Sequence, residues 1–115
     1  MELIQKEEVQ KVLERFLNKD VYVHLETTNG AYASHFNSQA SNVGAFIRNV
    51  QIRYKQVKII GSTSFRVGLK MDAGWMYAEG LTHWELDEHH RLLLAGHDAE
   101  GRLMVACEIS ETPFK

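Results

Sequence analysis

The most regular hydrophobic pattern in the chain begins at Phe65 and ends at Ile109. Within 65–71 every second side chain is apolar, and this period of two places the apolar side chains on one face of a β-strand. Further short runs of strand-forming residues follow at 75–78, 82–86, 91–97 and 102–109. Short strands separated by turns at this spacing are typical of all-β proteins. The pattern predicts a mainly β protein in which an antiparallel meander forms a small barrel or sandwich.

The predicted meander has apolar residues on both faces. With turns at 87–90 and 98–101, His83 would pair with Leu94, and Leu94 with Val105. One face would carry Leu81, Leu92, Leu94, Leu103, Val105 and Cys107, and the other Trp84, Leu86, Leu93, Ala95, Met104 and Ala106. Because large bare apolar patches are uncommon on monomers, the second face needs a cover: the N-terminal elements, barrel curvature or a second copy of the chain. We therefore predict a homodimer.

Upstream of the meander, apolar residues recur at the spacing of one helix face. They are Val9, Val12, Leu13, Phe16 and Leu17. The positions between them are polar, and Glu7 and Glu8 lie near the start, where the helix dipole favours acids. The pattern predicts one N-terminal amphipathic helix that closes one side of the β core, without a good N-cap residue for its first turn.

The clearest turn signal is Asn29-Gly30, because a type I′ turn requires positive φ at both central residues. It predicts a hairpin between 21–28 and 31–36, in which His24 lies directly opposite His35. Residues 37–42 are polar and are predicted to form a loop.

The segment from 43 to 60 allows two interpretations. Its apolar residues fit one strand face up to Tyr54 and the opposite phase after it, which indicates two strands or a bulge near Lys55-Gln56. A helix through 43–50 with Ser41 as its cap is the alternative, although the β-branched content favours a strand.

Length and composition limit the classes of protein that the chain can belong to. Its 115 residues predict a single domain, 1–115, and its net charge of −2 does not favour non-specific binding to nucleic acid or to anionic membranes. The single cysteine, Cys107, cannot form an internal disulfide, and no apolar signal core or membrane span is visible. We expect a cytoplasmic protein without a membrane partner.

Three residues of the predicted hairpin form a candidate metal site. His24, His35 and Glu26 would share one face, and two imidazoles with a carboxylate can bind a divalent metal, zinc first, if water or another ligand completes the shell. The same pattern also occurs on solvated polar faces. A metal-binding protein or a metal-dependent hydrolase is therefore an alternative function, and the primary expectation is that no cofactor is bound.

A second candidate is the pair His83 and Glu85, which share one face of a predicted strand and could perform acid–base chemistry if they lined a pocket. His89-His90 lies in a predicted turn and is expected to be exposed. Cys107 has no cationic neighbour in the sequence that would lower the pKa of its thiol, so we expect a buried, unreactive cysteine.

A basic and aromatic stretch, 46–58, resembles the strand surfaces with which proteins of the OB type bind single-stranded nucleic acid. Its basic and aromatic residues are Phe46, Arg48, Arg53, Tyr54, Lys55 and Lys58. The acidic net charge makes this a second alternative only. Phosphate-binding glycine loops, nucleophile elbows and paired Cys-x-x-Cys motifs are absent from the sequence.

The segments FRVGLKMDAGWMYAEGLTHWELDE, RLLLAGHDAEGRL and NGAYASHF resemble the YojF-like family over nearly the whole chain. These are small cytoplasmic proteins of low-GC Gram-positive bacteria with no assigned activity. The resemblance implies a compact, mainly β fold with an N-terminal helix. Family members tend to be encoded beside a deacetylase of bacillithiol biosynthesis, which implies an accessory role in low-molecular-weight thiol metabolism with that deacetylase as partner. It implies no catalytic residues.

The sequence therefore favours a non-catalytic, homodimeric accessory protein. No catalytic constellation is visible, and both faces of the meander are apolar. The metal-binding protein and the nucleic-acid binder are the alternatives.

Overall fold

The structure, a computed structural model, describes residues 1–29 and 43–115. Within them the chain forms, in order, β1 (Glu2–Leu3), α1 (Lys6–Glu14), β2 (Val21–Thr28), β3 (Gly44–Ile52), β4 (Gln56–Gly61), β5 (Phe65–Lys70), β6 (Trp75–Leu81), β7 (His83–Leu86), β8 (Leu92–His97) and β9 (Leu103–Ser110).

The strands form two antiparallel sheets in a sandwich-like arrangement. A six-stranded sheet has the order β1-β7-β8-β9-β2-β3, and a three-stranded sheet has the order β4-β5-β6. No closed barrel is formed by the described strands. The prediction of a mainly β, antiparallel sandwich with one N-terminal helix is confirmed. No helix in the described ranges is long and apolar enough to span a membrane.

The predicted meander is divided between the two sheets at Thr82, where the chain leaves β6 and enters β7. Two glycines allow this crossing. Gly80 has φ +79°, which L side chains rarely adopt, and a Cβ at Gly96 would lie 1.9 Å from the Gly80 carbonyl oxygen. The strands can approach this closely because Gly96 carries no side chain, whereas Gly80 is required for its positive φ.

One hydrophobic core joins the helix to both sheets. Val9 and Leu13 of α1 are fully buried, and Gln10 fixes the helix to β4: its side chain donates to the Val57 carbonyl at 3.0 Å and accepts from the Ile59 N–H at 2.9 Å. The helix begins after Gln5, whose side chain makes no cap hydrogen bond, so the predicted lack of a good N-cap is confirmed.

The predicted register of β7 and β8 is wrong by one residue. Trp84 pairs with Leu94 in place of Leu93, which moves Trp84 from the outer face to the core side. The reason is the length of the turn, since Asp87 N–H donates to the Arg91 carbonyl at 3.0 Å and Arg91 belongs to the turn. A one-residue slip exchanges the two faces of a strand.

The predicted register of β8 and β9 is wrong by two residues. Leu94 pairs with Cys107 in place of Val105, and the ladder shifts between Gly96 and His97. Because side chains alternate with a period of two, this error leaves the assignment of β9 to its faces unchanged. Leu94, Val105 and Cys107 all lie in the core, as predicted.

Strand β2 is paired along both edges, with β3 on one side and β9 on the other. Its partner in the first pairing runs from Gly44, opposite Thr28, to Ile52, opposite Val21. The second strand of the predicted Asn29-Gly30 hairpin, 31–36, lies outside the described residues. The segment 43–60 forms two strands, β3 and β4, as its change of phase indicates, and the helical alternative is wrong.

Candidate functional site

The predicted metal site lies only partly within the described residues. His24 and Glu26 both belong to β2, and His35 lies outside the described residues. Residues 1–29 and 43–115 contain no group of three or more His, Cys, Asp or Glu side chains that could hold a metal ion. Binding of zinc by His24, His35 and Glu26 stays a prediction.

His24 is buried between two side chains of β3. Its ring packs edge-on against Phe46, with the ring centroids 5.0 Å apart, and its Nδ1 lies 3.4 Å from Nη1 of Arg48. The guanidinium can only donate, so Nδ1 accepts in this contact. His24 therefore helps to position Arg48.

The two residues of the second predicted pair, His83 and Glu85, have different partners in the structure. Glu85 is exposed and lies 3.4 Å from the Met1 amino group, whereas His83 Nδ1 lies 2.7 Å from Thr82 Oγ1. The His83 ring contacts His97 edge-on, with centroids 5.1 Å apart. His83 lines neither of the two cavities that Glu85 borders. The acid–base role of this pair stays a prediction, and these two cavities do not bring the two side chains together.

Cys107 is fully buried, as predicted. Burial raises the pKa of its thiol to about 12, and the neighbouring Glu108 carboxylate adds to the rise. A thiol with this pKa is protonated at neutral pH and is a poor nucleophile, because the thiolate is the reactive form.

The predicted nucleic-acid surface is not assembled in the structure. Tyr54 is fully buried, so its ring cannot stack on a base. Arg53 donates to Asp20 at 3.1 Å, and Lys55 forms an ion pair with Asp72. Two of the cations are thus paired with carboxylates, and the aromatic residue between them faces the core.

Most of the exposed apolar side chains of the large sheet lie on β3 or beside it, and β1 adds Leu3. Four exposed apolar side chains, which we call the β3 patch, lie on β3 or directly before it: Val43, Phe46, Ile47 and Val50. Phe46 is 61% exposed, more than most large apolar side chains in a monomer. The second apolar face of the meander, for which the sequence predicts a cover, is not bare: Trp84, Leu86, Leu93 and Met104 are at least half-buried.

β3 is also an edge strand, and no strand in the described part of the chain pairs with its outer edge. Natural edge strands are protected by charged residues, proline or short length. Over its nine residues β3 has one charged residue, Arg48, and no proline. A long, apolar, unprotected edge is a feature of strands that pair with another chain.

The other exposed aromatic residues, Trp75 and Tyr77, lie on the outer face of the small sheet. Their rings stack with centroids 5.7 Å apart, the Arg66 guanidinium covers Tyr77 at 4.1 Å, and the Lys70 ammonium lies 5.5 Å from the Trp75 ring. Cations and rings of this kind stabilise one another. Trp75 and Tyr77 are thus partnered by each other and by two cations of the same sheet.

A cavity of about 540 Å³ lies between β3, the turn after β7 and the C-terminal tail. Three cationic side chains line it, Arg48, Arg91 and Lys115, against one carboxylate, Glu108. The lining therefore carries a net positive charge on a chain whose net charge is −2. Apolar contacts are supplied by Leu93 and by the ring of the tail residue Phe114.

The tail that forms one wall of this cavity is held by Asn49. The Asn49 side chain donates to the Phe114 carbonyl and accepts from the Phe114 N–H, both at 2.6 Å, and Arg48 donates to the main-chain oxygen of Lys115. Asn49 has φ +55°, an uncommon conformation that asparagine tolerates. Phe114 is consequently buried.

Sequence reasoning missed this cavity because its cations come from three distant segments. The sequence pattern groups Arg48 with a predicted nucleic-acid surface and predicts only that the His89-His90 turn is exposed. One signal was visible in the sequence: Asp87 and Arg91 recur as Asp98 and Arg102 with the same spacing.

Residues 3–114 match the model of a family described as "Protein of unknown function (DUF1806)". The chain is 51% identical over 114 residues to "Uncharacterized protein YojF" of Bacillus subtilis (strain 168), covering 99% of this chain and 98% of the relative. Its structure is similar to the crystal structure of Bacillus subtilis YojF, with a TM-score of 0.84, 46% sequence identity, and coverage of 99% of this chain and 96% of that one. These matches extend over nearly the whole chain.

Proposed function

The chain belongs to the DUF1806 family, and from this premise we propose that it is a non-catalytic accessory protein of the cytoplasm that acts by binding other proteins, beginning with a second copy of itself. The observation that carries the proposal is β3, a nine-residue edge strand with exposed apolar side chains on both of its faces. Residues 1–29 and 43–115 show no catalytic cluster with comparable support.

Antiparallel pairing of two β3 strands would satisfy the geometry of this edge. In an isologous antiparallel contact, residue i of one strand lies opposite residue j of the other, and j lies opposite i. A two-fold axis near Phe46 and Ile47 would therefore bring the apolar side chains of the β3 patch together. Pairing would also give the outer backbone N–H and C=O groups of the strand hydrogen-bond partners. The result is one continuous sheet across a homodimer.

The family resemblance supplies the first heterologous partner to test, a deacetylase of bacillithiol biosynthesis. An accessory role in low-molecular-weight thiol metabolism requires no catalytic residue in this chain. Strand addition by the deacetylase at the same apolar edge would compete with the second copy of the chain, because one edge pairs with one strand at a time.

The experiment is sedimentation velocity of the purified protein over a wide concentration range, repeated with Phe46→Asp. The wild-type protein is expected to be dimeric, and Phe46→Asp is expected to be monomeric because it places a charge at the centre of the apolar contact. The matched control is Trp75→Asp, which changes another half-exposed aromatic residue, on the small sheet. Circular dichroism checks that both variants fold.

A wild-type protein that sediments as a monomer at all accessible concentrations would show that the homodimer is wrong. Equal effects of Phe46→Asp and Trp75→Asp would place the contact elsewhere. The deacetylase is tested separately, by co-purification with the tagged wild-type protein and its absence from the Phe46→Asp preparation.

A further inference from the structure

Two turns of the large sheet are built on the same frame. In the turn 87–91, Asp87 Oδ1 accepts the backbone N–H groups of His89 and Arg91, both at 2.9 Å, and Asp87 Oδ2 accepts Arg91 Nε at 2.6 Å. In the turn 98–102, Asp98 Oδ1 accepts two backbone N–H groups at the equivalent positions, both at 2.9 Å, and Asp98 Oδ2 accepts Arg102 Nε at 2.8 Å. Each guanidinium group is thus held by the Nε side of its plane.

The two turns differ in the group that binds the terminal nitrogens of the arginine, which we call its outer edge. In the turn 98–102, the Glu100 carboxylate lies 3.2 Å from Arg102 Nη2 and neutralises it. The equivalent position of the other turn is His89, which has no carboxylate. No residue in the described part of the chain accepts a hydrogen bond from the terminal nitrogens of Arg91. Arg91 therefore has unused donors.

These donors belong to a side chain that borders the 540 Å³ cavity. Arg48 borders the same cavity from β3, positioned by His24 Nδ1 at 3.4 Å and by the main-chain oxygen of Lys115. Two guanidinium groups are thus held at one cavity by contacts that do not use all of their donors. A guanidinium presents five N–H donors in a rigid fork that matches the oxygens of carboxylates and phosphates.

We propose that this cavity binds a small organic anion, whose carboxylate or phosphate head group is held by Arg91 and Arg48. The cavity volume lies in the range of small-molecule sites. Leu93 and Phe114 are among the apolar residues of its lining, next to which the body of the ligand would lie. In the turn 98–102, the terminal nitrogens of Arg102 bind the Glu100 carboxylate. The terminal nitrogens of Arg91 would bind the head group of the ligand in the same way.

The experiment measures binding of three probes of similar size by isothermal titration calorimetry and by NMR shifts of the arginine side chains. Phenyl phosphate and benzoate carry the two oxyanion head groups, and benzamide has nearly the same shape without the charge. We expect the two anions to bind and benzamide to bind at least about tenfold more weakly, because the charge-assisted hydrogen bonds are lost. The tighter of the two anions identifies the head group.

Two matched variants locate the site. Arg91→Gln removes the open guanidinium and is expected to weaken binding of the anions by about tenfold or more. Arg102→Gln removes the equivalent group from the equivalent turn and is expected to leave binding unchanged, so it controls for any effect of losing the arginine on the turn itself. Arg48→Gln should weaken binding from the opposite wall.

Three results would overturn the proposal: no probe binds up to millimolar concentration, benzamide binds as well as the anions, or Arg102→Gln weakens binding as much as Arg91→Gln. If Arg91→Gln does not fold, Arg91→Lys is used. It keeps the charge but loses the fork, and it is expected to weaken binding while the protein remains folded.

Discussion

The turns 87–91 and 98–102 have the same hydrogen-bonded frame and different chemistry. Their aspartates accept the same pair of backbone N–H groups, and their arginines bond back to the same carboxylate oxygen. The third residue decides the difference, because Glu100 binds the outer edge of Arg102 and His89 leaves that of Arg91 open. An arginine that stabilises its own turn is thus a candidate ligand-binding group when no carboxylate of that turn binds its terminal nitrogens.

Both aspartates act as charged groups in these turns. Backbone and side-chain hydrogen bonds from Arg102, with the Glu100 N–H, hold the pKa of the Asp98 carboxyl below its ordinary value of 3.8. Burial raises the pKa of Asp87, but hydrogen bonds from Arg91 and from the His89 N–H outweigh this, and the pKa again lies below 3.8. Each carboxylate is therefore ionised at neutral pH.

The largest effect, a loss of affinity for the anion, is expected when the third residue of both turns is glutamate. His89→Glu introduces a carboxylate at the position of Glu100, where it can bind the open edge of Arg91. Because this carboxylate is covalently attached, it competes with any ligand, and we expect the affinity for phenyl phosphate to fall by about a hundredfold. Calorimetry measures the change.

Glu100→His is the reciprocal control. It opens the edge of Arg102 at the other turn, so binding at the cavity should remain as in the wild-type protein. Wild-type affinity in His89→Glu would contradict this expectation, because the third residue of the turn would then have no influence on Arg91.

The next effect concerns the stability that the two frames provide. Asp87→Ala and Asp98→Ala each remove the acceptor of two backbone N–H groups and of one arginine. We expect each to lower the midpoint of thermal unfolding at pH 7 by about 4 °C. Similar losses in the two variants would support the equivalence of the frames, and a loss confined to one of them would refute it.

The pH dependence of this stability follows from the lowered pKa values of Asp87 and Asp98. A carboxyl whose pKa is lower in the folded state stabilises the fold above its unfolded pKa, and this contribution disappears as pH falls through the folded value. The difference between wild-type and alanine variants should thus be constant near neutral pH and shrink below the ordinary value of 3.8. Denaturant unfolding between pH 2 and pH 7 measures it; a difference that grows on acidification would contradict the sign.

The smallest expected change in the free energy of unfolding comes from substitutions at the fourth residue of each turn. His90 has φ +60° and Gly101 has φ +80°, so both adopt a left-handed conformation. Gly101→Ala should cost about 1 kcal/mol, since alanine is strained there. His90→Gly relieves such strain but adds chain entropy to the unfolded state, and we expect a change below about 0.5 kcal/mol. Equal costs in chemical denaturation would show that the backbones of the turns differ.

The strands were largely predictable because alternation is local. Apolar side chains recur with a period of two over 65–71, and β5 spans Phe65–Lys70, one residue fewer. The change of phase near Lys55-Gln56 also located the break between β3 and β4. Register was less predictable, because counting Arg91 as strand in place of turn moved Trp84 to the wrong face.

The candidate sites were not predictable to the same extent. The β3 patch was visible as an apolar segment, but its exposure depends on β3 being at the edge of the sheet, which the order of strands decides. The cavity depends on Asn49 binding the tail at Phe114, a contact between residues 65 positions apart. No local pattern encodes such a contact.

Periodicity and turn chemistry within a few residues were enough to predict the mainly β composition, the N-terminal helix, most strand positions and the burial of Cys107. Contacts between distant segments were needed for three further features: the change of sheets at Thr82, the edge position of β3, and the cavity that Arg48 and Arg91 share. Packing of distant segments sets these features, since the free energy of a long-range contact depends on which strands become neighbours.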